Sequence, residues 1–121
     1  MQRTVSSIDR DKLGAEIAQL ELLGLNGTKI TDAGLAHLNG LSGIQDLYLT
    51  HTEITDSGLA HLKGLSVLQT LYMNDTKVTD AGLACLKELT RLRNLNLAGT
   101  RVTDTGVQEF QKALPKVRIT R

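Results

Sequence analysis

The phrase Thr28-Lys29-Ile30-Thr31-Asp32-Ala33-Gly34-Leu35 returns, with small changes, from Thr52, Thr76 and Thr100, so the chain repeats itself every 24 residues. Few folds are open to a chain with that period. The unit is too short for a pair of helices and fits one strand plus one helical return. Such a unit cannot bury its apolar side alone, so neighbouring units stack into a solenoid.

Within a unit the apolar spacing changes period. Leu47-Tyr48-Leu49 alternates, which predicts a short strand with both leucines inward and Tyr48 outward. Leu23-Gly24-Leu25, Leu71-Tyr72-Met73 and Leu95-Asn96-Leu97 are equivalent, and Val117-Arg118-Ile119 is expected as a fifth strand of one parallel sheet. After the strand, Thr55-Asp56 reads as a helix start: a hydroxyl caps free amides, and a carboxylate complements the positive end of the helix dipole.

Leu59, Leu62 and Leu65 then recur at threes along a buried side, with counterparts in Leu35, Leu38, Leu41 and Leu83, Leu86, Leu89; Phe110 falls in the Leu62 column. Gly34, Gly58, Gly82 and Gly106 form another column, inside the helices, where glycine costs about 1 kcal/mol relative to alanine. A cost repeated in every unit implies close backbone packing.

The spacing Ile44-x-x-Leu47-x-Leu49-x-x-Thr52-x-Ile54 resembles the leucine-rich repeat, with Thr where the usual pattern has Asn or Cys. With Asp32-Ala33-Gly34-Leu35-Ala36 and its repeats, it is similar to the short bacterial members of that family, the Thr-Asp-x-Gly-Leu subclass and its Gly-Ala-Leu-Ala-like relatives. The resemblance covers residues 20–119 and implies an α/β solenoid, with a parallel sheet on the concave face and short helices on the convex one. It also implies a scaffold whose function lies in what its surface binds.

A single domain over residues 1–121 is expected. Thr4 to Gln19 lacks the repeat phrase, so residues 1–19 read as a degenerate helical cap. Residues 114–121 read as a terminal cap strand, after a register that gains one residue before Leu114-Pro115-Lys116-Val117. That last strand has an edge able to pair with another chain.

Fourteen Lys+Arg against thirteen Asp+Glu leave a net charge of +1, which offers no field for nucleic acid or an anionic membrane. Neither a signal peptide nor a run of about 18 apolar residues is visible, so cytoplasm is the expected compartment. Cys85 stands alone and excludes an intrachain disulfide.

The inward columns barely vary between units, whereas the outward strand positions do: Gly24, Tyr48, Tyr72, Asn96; Leu22, Asp46, Thr70, Asn94; and Asn26, Thr50, Asn74, Ala98. The chain's two tyrosines therefore fall side by side on the sheet face, about 4.8 Å apart by strand spacing. Tyrosine is a preferred interface anchor. Asp46, Thr70, Asn74, Asn94, Asn96 and His51 surround the pair as candidate hydrogen-bonding residues, and His51 is expected to approach Asp75 as a surface ion pair.

His37, His61, Cys85 and Glu109 share one column and are all metal-binding types, but they fall on successive helices about 8–10 Å apart. Zinc needs its donors within about 2.0–2.3 Å of one point, so no metal is expected. No cofactor is expected, and enzyme signatures such as Gly-x-Ser-x-Gly, His-Glu-x-x-His or a phosphate-binding loop do not occur. The sequence thus reads as a non-enzymatic module that binds a protein partner through the sheet face. Two further readings are a self-associating homodimeric scaffold and, by the resemblance, the recognition part of a larger bacterial effector.

Overall fold

The computed structural model describes residues 21–121, so the cap expected at 1–19 lies outside the described residues. Strands β1 (Leu22–Gly24), β2 (Asp46–Tyr48), β3 (Thr70–Tyr72), β4 (Asn94–Asn96) and β5 (Arg118–Thr120) form one parallel sheet in chain order. Leu23, Leu47, Leu71, Leu95 and Ile119 stand opposite one another, as do Tyr48 and Tyr72. Hydrogen bonds continue past the strand ends, Leu49 N–H donating to Tyr72 O at 2.7 Å and Met73 N–H to Asn96 O at 3.0 Å. The predicted Leu-x-Leu triplets are therefore all within the ladder.

The fifth strand departs from expectation. Ile119, not Val117, stands opposite Leu95, so the strand keeps the 24-residue interval and runs to Thr120. The extra residue is taken up before the strand, where buried Val117 fills the apolar column one place later than Leu92 does. A longer last helix accompanies the change.

Helices α1 (Asp32–Leu35), α2 (Asp56–Leu59), α3 (Asp80–Cys85) and α4 (Asp104–Ala113) return the chain from each strand. The first three run directly into 3₁₀ turns at Ala36–Leu38, Ala60–Leu62 and Leu86–Glu88. A 3₁₀ turn has three residues per turn, and that explains why leucines spaced by threes share one buried side. Leu59, Leu62, Leu65 and Phe110 are fully buried, alongside the strand residues Leu47 and Leu71 and Leu49 just past β2.

The threonine that replaces Asn or Cys has a clear task. Thr28, Thr52, Thr76 and Thr100 each donate the hydroxyl to the carbonyl three residues back, at 2.7–2.8 Å, closing the turn after the strand. Thr52 and Thr76 are buried, so this bond satisfies a hydroxyl that would otherwise be costly inside.

The Thr-Asp phrase joins units as well as starting helices. The Thr55 amide donates to Asp32 Oδ1 at 2.7 Å and its hydroxyl to Asp32 Oδ2; Asp56 holds Thr79 and Asp80 holds Thr103 in the same way. Thr31, Thr79 and Thr103 also cap their own helices, whereas the Thr55 side chain makes no capping bond. At Asp80, hydrogen bonds from the Thr103 hydroxyl and amide hold the carboxyl below the usual aspartate value. Asp104 pairs instead with the guanidinium of Arg121, which also donates to Val102 O at 2.9 Å. The matching carbonyl of the preceding unit, Val78 O, accepts the Arg101 amide, so the arginine occupies the place of a next-unit N–H.

This ladder also corrects the glycine column. A Cβ at Gly58, Gly82 or Gly106 would collide with Oδ1 of Asp32, Asp56 or Asp80, and at Gly58 and Gly82 also lie 2.9 Å from Leu35 or Leu59 Cδ1. The glycines make room for the carboxylate of the preceding unit, not for backbone. Gly34, whose Cβ would instead lie 2.9 Å from Ile30 Cγ1, has no such carboxylate against it among the described residues.

Candidate functional site

Alternation along β2 and β3 turns Leu47 and Leu71 into the core and leaves Asp46, Tyr48, Thr70 and Tyr72 on the open face. Strand pairing sets Tyr48 against Tyr72 with ring centroids 5.1 Å apart and planes tilted by 59°, a favourable aromatic geometry. Tyr72, at 38% exposure, is the exposed large hydrophobic side chain among the described residues; Tyr48 is half-buried beside it. Burial, with lesser contributions from the Asp46 charge and Tyr72, pushes the Tyr48 phenol above its ordinary value.

Asp46, Thr70 and Asn94 follow one another in adjacent strands and are all half-buried, with Arg118 next in the column. Asn96 continues the tyrosine column, but its Oδ1 is engaged, accepting the Ala98 amide at 3.1 Å. Asn74 is placed differently from a ready contact residue. Its counterpart Asn26 accepts the Thr50 amide at 2.9 Å, whereas the N–H equivalent to that of Thr50, Ala98's, is given to Asn96; Asn74 Oδ1 is left buried without a partner among the described residues.

His51 lies beyond the end of β2 rather than on the strand. Its Nε2 is 3.1 Å from Asp75 Oδ2, the expected pair, with both side chains largely in solvent. Both residues adopt the left-handed backbone, φ 56° and 57°, and share a 24-residue column with Gly27 and Gly99, which do the same at φ 70° and 75°. Asp and His tolerate this conformation better than most residues, and every unit makes the same turn there.

Among the described residues, no group of three or more His, Cys, Asp or Glu side chains could hold a metal ion. No helix there is long and apolar enough to cross a membrane. Cys85 is half-buried, with Sγ 3.9 Å from Ala81 O on its own helix.

Stacked strand-and-helix units with a Leu-rich interior define a repeat solenoid. The chain belongs to the leucine-rich-repeat family: a family model described as Leucine Rich repeat matches residues 44–62, 64–87 and 89–110, together more than half of its length. No curated protein matches the chain at a significant level. Among solved structures it is similar to internalin C2 from Listeria monocytogenes, with 31% identity and a TM-score of 0.69 over 87% of this chain. The chain spans 42% of the length of that internalin. It also resembles a Leptospira interrogans LRR protein (19% identity, TM-score 0.59, 94% of this chain and 34% of that one). A Chaetomium Mex67:Mtr2 structure matches at 20% identity and TM-score 0.68, over 93% of this chain and 89% of that one; these two likenesses concern the fold alone. Domains of this family generally act as non-enzymatic protein-interaction modules.

Proposed function

We propose that the sheet face is a docking surface for a protein partner, with Tyr48 and Tyr72 as its anchors. The tilted tyrosine pair carries this reading: flat amphipathic area is held in register by the β2–β3 backbone ladder, on the face where the units differ. Rigid display is the mechanism. The leucine layers fix strand spacing, so little ordering entropy remains to be lost when a partner docks. Asp46, Thr70, Asn94 and Asn96 supply hydrogen-bonding groups around the anchors, and Asn74 and His51 border them.

Peptides selected from a random library on the folded chain test this proposal. Replacing both tyrosines by alanine is expected to weaken selected peptides by about 100-fold or more, as loss of anchor residues does. The same change removes a cross-strand pair worth only about 0.2–1 kcal/mol, so the fold survives it. Selected peptides that bind the double variant as well as the parent chain would refute the proposal.

A further inference from the structure

The charge on the sheet face is arranged unevenly. Within β1 to β3 the outward strand residues are Leu22, Gly24, Asp46, Tyr48, Thr70 and Tyr72, so Asp46 is the one formal charge among them. Its half-buried side chain makes no ion pair or side-chain hydrogen bond among the described residues. The nearest cation in its own column is Arg118, three strands away. That is about 14 Å at sheet spacing, beyond the screening length of about 8–10 Å at physiological salt.

An unneutralised carboxylate thus lies two residues from Tyr48, whose ring is tilted against that of Tyr72. Aromatic faces present negative quadrupole density, and a carboxylate beside them adds a full charge. A neutral apolar side chain could use the rings but would bury Asp46 uncompensated, and an acidic one would be repelled. An arginine or lysine uses both.

We infer that Asp46, Tyr48 and Tyr72 form a receptor for one cationic side chain, arginine or lysine, of a separate partner protein. This deepens the proposed function and rests on it: the sheet face is the docking surface, and the partner segment crossing it is basic where it meets β2 and β3. Arg118 on β5, with Arg91 and Arg93 beside the β4 entry, makes the β4–β5 side of the sheet unfavourable for the same group. The basic residue is therefore directed to the tyrosine end.

The probes are two pentapeptides, acetyl-Gly-Gly-Arg-Gly-Gly-amide and its citrulline equivalent, titrated while the ring signals of Tyr48 and Tyr72 are followed by NMR. The arginine peptide is expected to shift both rings saturably, and the neutral citrulline peptide to bind about tenfold more weakly. Asp46→Asn is expected to weaken the arginine peptide about fivefold while leaving the amide spectrum folded, since the Asp46 carboxylate holds no other group in place among the described residues. Equal binding of the two peptides, or no saturable shift from either, would overturn the inference. Library-selected peptides that need the tyrosines yet contain no basic residue would overturn it while leaving the docking face standing. A mass that doubles with concentration in the parent chain but not in Asp46→Lys would also overturn it, because the occupant would then be a second copy.

Discussion

Gly82→Ala puts the inter-unit carboxylate ladder to its hardest test. Alanine is the better helix former by about 1 kcal/mol, so propensity alone predicts stabilisation. The structure predicts the reverse. A Cβ at position 82 collides with Asp56 Oδ1 and lies 2.9 Å from Leu59 Cδ1. Leu59 presents the end of a flexible side chain and can turn aside, but Asp56 moves only by releasing the Thr79 amide, held at 2.7 Å, and the Thr79 hydroxyl. Hydrogen bonds to charged groups contribute about 1.5–3 kcal/mol each. Taking the low end for this half-buried pair, the loss is about 3 kcal/mol and the net cost of Gly82→Ala about 2 kcal/mol. Asp56→Ala alone costs about 3 kcal/mol by the same bonds. With the carboxylate gone, Gly82→Ala becomes stabilising by about 1 kcal/mol, giving a coupling of about 3 kcal/mol in a double-mutant cycle. Urea unfolding of the four proteins, followed by circular dichroism, measures it. Equal effects of Gly82→Ala in both backgrounds would refute the carboxylate explanation of the glycine column.

Three further outcomes follow from single residues. The lowered Asp80 value means that the unfolded chain binds a proton first as pH falls, so this stabilisation is full above about pH 4 and is lost as pH drops through the folded value. Asp80→Asn should therefore flatten the acid limb of the stability profile below about pH 4, and an unchanged limb would contradict the assignment. His51→Gly should be about 1 kcal/mol more stable than His51→Ala, because alanine pays the left-handed backbone cost at φ 56° and glycine does not; urea unfolding that ranks alanine equal or higher would count against it. Asn26→Ala should cost about 1 kcal/mol through its bond to Thr50, while Asn74→Ala, which deletes a buried acceptor without a partner, should cost nothing measurable; thermal unfolding in the reverse order would show that Asn74 Oδ1 is satisfied.

Much of this arrangement was legible because the chain compares its own units. Period two marks Leu47 and Leu49 as inward and Tyr48 as outward, and a constant interval places Tyr48 beside Tyr72 and His51 beside Asp75; the structure shows each of these. What escaped depends on distances between units. Within one unit, Thr55-Asp56 reads as a complete helix start, and nothing local says that Asp56 reaches Thr79, 23 residues on. The glycines then lack their true neighbour, and backbone contact is the default explanation. The left-handed column was visible as Gly27, His51, Asp75 and Gly99, residue types that favour that conformation, but charge drew attention to the middle two. At the last strand, Val117 imitates the alternating pattern so well that only the pairing of Ile119 with Leu95 reveals the register.

The docking face itself is tested most directly by mapping a library-selected peptide onto the chain through amide and side-chain chemical shifts. The largest changes are predicted at Asp46, Tyr48, Thr70, Tyr72, Asn94 and Asn96, with the helices α1 to α4 unmoved. Changes centred on those helices, or on the outer edge of β5, would contradict a binding surface built on the tyrosine pair.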